Sequence, residues 1–154
     1  MLRAREQILD AAAELVASGG LSAVTMASVA RRSAVAKATV YNHFRDRDDL
    51  LRALMASETE RLVATCAGAA DGDRLGAAAR WLSESTVIAG LRRFDPATLL
   101  SVADRAAAEP RVHETVQRWC TPDDDPERAF RWLVSFAVVP DESGQPAPLL
   151  EPTS

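Results

Sequence analysis

Residues 37–44 read Lys-Ala-Thr-Val-Tyr-Asn-His-Phe, and their spacing is suited to hydrogen bonding with nucleic acid. In an α-helix, which advances ~100° per residue, Ala38, Thr39 and Asn42 share one face. Asn42 can bond the edge of adenine in two places, while Ala38 and the Thr39 methyl group can contact thymine methyl groups. Because these side chains are small, the helix can enter a major groove, so this face indicates direct reading of a DNA sequence.

The rest of this segment divides into a buried face and two polar flanks. Val40 and Phe44 fall opposite the small residues, so we expect them to point into the protein. Lys37 and Tyr41 lie on one flank and His43 on the other, and all three side chains are long enough to reach phosphates. An ordinary solvent-exposed helix is the alternative, but Tyr41 and His43 beside the only lysine in the chain favour DNA binding.

Two further helices and a tight turn must position this segment. The apolar spacing predicts a first helix over residues 3–18, ended by a Gly-Gly pair that tolerates the left-handed conformation. Thr25 is a suitable N-cap for a second helix that runs to about Arg32. Only residues 33–35 separate this helix from the next, so two short helices must cross at a steep angle.

The sequence of residues 25–51 resembles the N-terminal helix-turn-helix domain of the TetR family of transcriptional regulators. The resemblance extends over about residues 3–51 and rests on the Thr cap, the tight turn, the segment above and the acid-rich start of a fourth helix, in TMASVARRSAVAKATVYNHFRDRDDLL. It implies a homodimer in which each third helix enters a major groove, with Lys37, Thr39, Tyr41 and His43 at contact positions and Arg47 near the DNA backbone. The predicted DNA-binding residues are Thr25, Lys37, Ala38, Thr39, Tyr41, Asn42, His43 and Arg47.

Two residues depart from the usual pattern of this family. Ala34 stands in the turn, where the family usually has Gly. Ala36 stands where Ser or Thr normally caps the third helix, and loss of that cap costs on the order of 1 kcal/mol of helix stability. The missing hydroxyl also removes a common phosphate contact, so Ala36 is not among the predicted DNA-binding residues.

The charge of the chain is unevenly distributed. The net charge is −4, which taken alone argues against a nucleic-acid partner. Residues 3–47, however, carry seven basic and four acidic side chains, for a local charge of +3, while residues 48–154 carry −7. This polarity would present the N-terminal third to phosphates and turn the remainder away from them.

Composition and spacing predict an all-α fold with one or two domains in 154 residues. The chain has 29 alanines against 8 aromatic residues, so its apolar content consists mostly of small, helix-forming side chains. We expect a three-helix DNA-binding domain over residues 1–47, a short helical effector-binding or dimerisation domain over 48–139 and a disordered tail over 140–154. The later helices are predicted from Asp46 to about Ala67, from Leu75 to near Gly90, from the caps Asp95 and Glu109 with their following prolines, and from Pro126 onward.

Large aromatic side chains in the second region suggest an apolar effector pocket. The candidates are Trp81, Phe94, Trp119 and Phe130, and the implied ligand is a small apolar molecule. Aromatic residues at helical spacing are more often ordinary core or dimer interface, and this alternative stays open.

Other chemistries are not indicated by the sequence. No nucleophile, base and orienting acid are arranged by any motif, so we expect neither an enzyme nor a cofactor. The two histidines lack the spacing of a metal site. Cys66 and Cys120 have no adjacent basic cluster and are interpreted as buried, unpaired thiols. No segment is long and apolar enough to span a bilayer, and we expect a cytoplasmic protein.

Two hypotheses follow. The first is a TetR-like transcriptional regulator, a repressor that binds a palindromic operator in double-stranded DNA as a homodimer and is released by a small-molecule effector. The second is an effector-independent DNA-binding or helical interaction module, whose C-terminal domain serves only dimerisation or a protein partner.

Overall fold

The computed structural model describes residues 2–70 and 72–138, and every regular element within these ranges is helical. The predicted all-α fold class is confirmed. The predicted tail, residues 140–154, lies outside the described residues. The α-helices of the described ranges are α1 (Leu2–Gly19), α2 (Met26–Ser33), α3 (Lys37–His43), α4 (Arg47–Ala67), α5 (Arg74–Glu84), α6 (Thr86–Phe94), α7 (Pro96–Ala108), α8 (Pro110–Trp119) and α9 (Pro126–Val138).

Local capping explains where the N-terminal helices begin. Gly20 follows α1 with a φ of 69°, and a 3₁₀ turn, Leu21–Ala23, leads to α2. The Thr25 hydroxyl accepts a hydrogen bond from the Ser28 backbone N–H at 3.0 Å, and Ser28 Oγ accepts one from the Thr25 N–H at 2.8 Å. This reciprocal pair is a capping box, so the predicted Thr25 cap is confirmed.

The start of α4 is capped by Asp46, the residue from which this helix is predicted. The Asp46 carboxylate accepts a hydrogen bond from the Asp49 backbone N–H at 2.7 Å. The Asp49 carboxylate accepts a hydrogen bond from the backbone N–H of Arg45 at 3.1 Å. Arg45 is the residue before the Asp46 cap, so the pair is not a full capping box. Two donors at the helix start are therefore satisfied by carboxylates, which also suit the positive end of the helix dipole.

The predicted fifth helix, from Leu75 to near Gly90, is wrong: two helices occupy this stretch. Ser85 adopts an extended conformation between α5 and α6, and its hydroxyl accepts a hydrogen bond from the Ile88 N–H at 3.3 Å. The redirected chain buries Val87, Ile88 and Leu91, which join the core formed with α1.

Prolines open α7 and α8 as predicted, but the side chains before them do not cap these helices. Asp95 Oδ2 instead accepts a hydrogen bond from the Leu21 backbone N–H at 2.7 Å. Glu109 is exposed and makes no side-chain cap bond. The sequence predicts that the Asp95 carboxylate caps α7. In the structure it bonds instead to a turn that lies 74 residues earlier.

Two apolar cores are joined by α4. The first core gathers buried side chains of α1 to α4 with Val87, Ile88 and Leu91 of α6. The second gathers Cys66 with buried side chains of α5, α8 and α9. Because α4 contributes Leu50 and Leu54 to the first core and Cys66 to the second, it runs unbroken from one to the other.

Among the described residues, no helix combines the length and the hydropathy needed to cross a membrane.

Candidate nucleic-acid interface

Helix α3 presents the face that its sequence pattern predicts. Val40 and Phe44 are buried, with 0% and 3% of their surface exposed. Ala38 and Asn42 are exposed, and Thr39 is half-buried. The buried pair anchors the short helix to the first core, so the small polar face is held outward by packing rather than by helix propensity alone.

The flanks of α3 carry its longer polar side chains. Lys37 and Tyr41 are both exposed, and Lys37 Nζ lies 6.0 Å from the centroid of the Tyr41 ring. This is within cation–π distance, so the ammonium group and the ring lie side by side on one flank of α3. His43 is half-buried, and its ring centroid lies 6.3 Å from that of Phe44. Within the described residues Lys37 has no ion pair, which leaves its charge available to an anion.

The surroundings of α3 are positively charged. Residues 31–45 contain four basic side chains and no acidic one. Arg5 reaches over from α1, with its guanidinium carbon 5.7 Å from the Phe44 ring centroid. Arg32 is partly neutralised by Glu14 at 3.5 Å, and Arg45 by Asp49 at 3.6 Å. The field near α3 therefore favours a polyanion although the whole chain is acidic.

Thr25 and Arg47 have internal partners in this structure. The Thr25 hydroxyl belongs to the capping box of α2. Arg47 Nε donates to the Val24 carbonyl at 2.8 Å and its Nη2 to the Leu21 carbonyl at 2.7 Å. These bonds tie the start of α4 to the turn before α2, so both residues position the helix-turn-helix; their direct contact with DNA stays a prediction.

A cavity of about 430 Å³ lies among α4 to α9 and is almost entirely apolar. Trp81, Trp119 and Phe130 line it, as three of the four predicted pocket residues. Phe94 does not line it: its side chain is 42% exposed at the end of α6, with the Arg93 guanidinium 5.2 Å from its ring. Phe94 ends α6 one residue before Asp95, whose bond to Leu21 holds this corner against the 3₁₀ turn that follows α1.

Glu58 is a further functional candidate that is not among the residues predicted from sequence. It lines the cavity with only 7% of its surface exposed, and burial raises the pKa of its carboxyl. Its position in the sequence could have indicated burial, because it lies four residues after Leu54 and four before Leu62 on the apolar stripe of α4. An acidic residue at a core position is a candidate functional group.

Cys66 and Cys120 are free thiols, as predicted. Cys66 is buried and Cys120 half-buried; burial raises the pKa of both, and Asp124 and Asp125 raise that of Cys120 further. Both thiols therefore ionise less readily than an ordinary cysteine does. In residues 2–70 and 72–138 no group of three or more His, Cys, Asp or Glu side chains is placed to hold a metal ion.

Comparison with known proteins agrees with this geometry. Residues 8–54 match the model of the family described as bacterial regulatory proteins, tetR family. The chain is 43% identical over 58 residues to the HTH-type transcriptional repressor KstR of Rhodococcus jostii, a match covering 38% of this chain and 27% of that protein. It is 36% identical over 58 residues to the HTH-type transcriptional regulator SrpR of Pseudomonas putida, covering 38% and 27% respectively.

A longer match extends beyond the helix-turn-helix. The HTH-type transcriptional repressor Rv1474c of Mycobacterium tuberculosis is 30% identical over 147 residues, covering 87% of this chain and 78% of that protein. Both the helix-turn-helix segment and the helices behind it therefore have a counterpart in one relative, and the chain belongs to the tetR family of bacterial regulatory proteins.

Proposed function

We propose that this protein is a DNA-binding transcriptional repressor that binds a palindromic operator as a homodimer and is released by a small-molecule effector. The observation that carries the proposal is the outer face of α3, where exposed Ala38 and Asn42 lie beside exposed Lys37 and Tyr41 in a segment free of acidic residues. Two similar proteins, KstR and Rv1474c, are named repressors, which supports the sign of regulation.

The proposed division of labour follows the types of side chain on α3. Asn42, Ala38 and the Thr39 methyl group would read base edges, while Lys37, Tyr41 and His43 would contact phosphates. Two such helices in a homodimer read successive major grooves when they lie about 34 Å apart.

The proposed effector domain, residues 48–139, contains the apolar cavity. Helices α4 and α6 both contribute to its wall and to the core beneath α3. A ligand that prefers a different placement of these helices would change the spacing of the two recognition helices and weaken operator binding.

The test is a titration of the purified full chain with the DNA flanking its own gene, at two salt concentrations and with random duplex as competitor. We expect specific binding that weakens steeply with salt, because phosphate contacts release counterions. Tyr41→Ala should abolish it, and Ser101→Ala, an exposed position on α7, should not. Binding no tighter than to random duplex, or a flat salt response, would contradict the proposal.

A further inference from the structure

The cavity contains one buried charge. Among the described side chains that line it, only Glu58 and Arg111 are charged; Arg111 is exposed, whereas Glu58 is 7% exposed. A buried carboxylate is costly unless it is paired and hydrogen-bonded, so its partners decide what the cavity can accept.

Glu58 is only partly compensated by its neighbours. Its Oε1 accepts a hydrogen bond from Arg61 Nη1 at 3.1 Å, but Arg61 also donates from Nη2 to Asp10 at 2.7 Å. One guanidinium therefore serves two carboxylates. Within the described residues Glu58 Oε2 accepts no hydrogen bond, although the carboxyl lies at the wall of an apolar cavity.

A second, more polar cleft lies on the other side of Glu58 and Trp81. It has a volume of about 310 Å³, and its charged residues are Glu58, Arg61 and Glu84. Carboxylates thus outnumber the guanidinium there, and Asp10 already pairs with that guanidinium. The second cleft therefore places another carboxylate, that of Glu84, near Glu58.

We propose that the cavity binds an apolar organic cation, with its hydrocarbon body among the aliphatic and aromatic side chains and its ammonium group at the Glu58 carboxylate. Trp81 lines both spaces beside Glu58 and offers an indole ring for cation–π contact. A neutral ligand would form no ion pair with the Glu58 carboxylate, and an anion would meet a like charge. This inference rests on the proposed role of the cavity as the effector site.

The test uses three probes with one hydrocarbon body: 4-phenylbutylamine, 4-phenylbutan-1-ol and 4-phenylbutyrate. Isothermal titration calorimetry of the full chain at neutral pH should rank the protonated amine first by about tenfold or more in Kd, which is ~1.4 kcal/mol. Equal affinities, a preference for the alcohol or the carboxylate, or no binding by any probe would overturn the proposal.

A matched pair of variants locates the charge that matters. Glu58→Gln keeps the shape of the side chain and should remove the preference for the amine while leaving alcohol affinity unchanged. Glu60→Gln, an exposed acid on the same helix, should keep the preference. If Glu58→Gln binds the amine as tightly as the parent protein does, the proposal is wrong; the ranking of probes by the parent protein tests it even if this variant fails to fold.

The calorimetric ranking of the three probes does not depend on DNA binding. Operator titration is carried out without probe, so loss of the cation preference with intact operator binding overturns only the ligand assignment. Failure of operator binding with an intact cation preference overturns the regulator and keeps the ligand site.

Discussion

Asn42 and Lys37 occupy the same short helix, yet their side chains offer a DNA partner different chemistry. Asn42 is exposed on the small outer face and carries an amide with both a donor and an acceptor. Lys37 lies on the flank beside Tyr41 and carries a compact positive charge that donates hydrogen bonds and accepts none. An amide distinguishes bases, while an ammonium group attracts any phosphate, so the two residues should affect specificity and affinity separately.

We expect Asn42→Ala to relax sequence preference by about 1–3 kcal/mol and to change binding to random duplex little. Lys37→Ala should weaken binding to all sequences alike and reduce the slope of log affinity against log salt by about 1. Competition titrations with operator and random duplex at several salt concentrations measure both effects. A uniform loss in both variants would show that Asn42 does not read bases.

Single residues differ in how far sequence reveals them. Val40 and Phe44 followed from helical spacing, because a seven-residue helix needs an apolar anchor. The bonds from Arg47 to the carbonyls of Leu21 and Val24 did not, because they depend on the tertiary approach of α4 to an earlier turn. Glu58 was detectable as an acid in an apolar stripe, but the cavity beside it is made by six helices and no local pattern encodes it.

At the scale of elements, the turn between α2 and α3 is strained at Ala34. This residue has a φ of 54° in the left-handed region, where a Cβ atom is unfavourable. Replacement of an alanine there by glycine removes the steric cost, although glycine loses more chain entropy on folding.

We expect Ala34→Gly to raise the free energy of unfolding by about 0.5–1 kcal/mol, as measured by urea denaturation. Ala27→Gly, at an exposed position inside α2, should lower it by about 1 kcal/mol. The opposite signs separate relief of backbone strain from the general effect of glycine. A loss of stability in both variants would mean that the turn is not strained.

The start of α4 should make stability depend on pH through Asp49. The hydrogen bond from the Arg45 backbone N–H is the main cause that holds the pKa of the Asp49 carboxyl below its ordinary value, and the charges of Arg45 and Arg52 act in the same direction. In acid the unfolded chain therefore binds more protons at Asp49 than the folded chain does. The stabilisation of the fold by the Asp49 carboxylate is present at neutral pH and is lost as pH falls through the folded pKa.

We therefore expect Asp49→Asn to lower the Tm at pH 7 and the difference from the parent protein to shrink as pH falls toward ~3. Asp48→Asn, at the exposed neighbouring position, should change Tm less at pH 7. Thermal scans across this range check the prediction, and a difference that stays constant with pH would contradict it.

Most helix boundaries were predictable because caps and prolines act locally, as Thr25, Asp46 and Pro96 do. The break at Ser85 was not, since the apolar spacing of α5 continues past it and the serine looks like any exposed polar residue. The burial of Val87, Ile88 and Leu91 beneath α1 selects the bend, and the Ser85 cap then satisfies the start of α6.

At the scale of the whole molecule, α6 connects the cavity to the N-terminal helices. Its Ile88 lines the cavity, and its Gly90 lies against the backbone of α1. Asp95, directly after α6, accepts the hydrogen bond from Leu21, whose carbonyl in turn accepts one from Arg47. At the other side, Arg92 donates to the carbonyls of α9 at 3.0 Å. Helix α6 therefore lines the cavity and is followed directly by Asp95, which is hydrogen-bonded to the turn before α2. A shift of α6 caused by a change in cavity shape would reach that turn.

Gly90→Ala tests this close approach directly. A Cβ atom there would lie 2.7 Å from Ala17 Cα and against the carbonyl group of Val16, and backbone cannot rotate away as a side chain does. Helices α1 and α6 must then separate, so we expect a loss of about 1–3 kcal/mol in urea denaturation together with weaker operator binding, although residue 90 is not among the predicted DNA contacts. Gly68→Ala is the control, because its nearest neighbour would be 3.6 Å away and its φ of −82° suits alanine. If Gly90→Ala behaved like Gly68→Ala in both measurements, α1 and α6 would be free to separate and could not transmit a change from the cavity to α3.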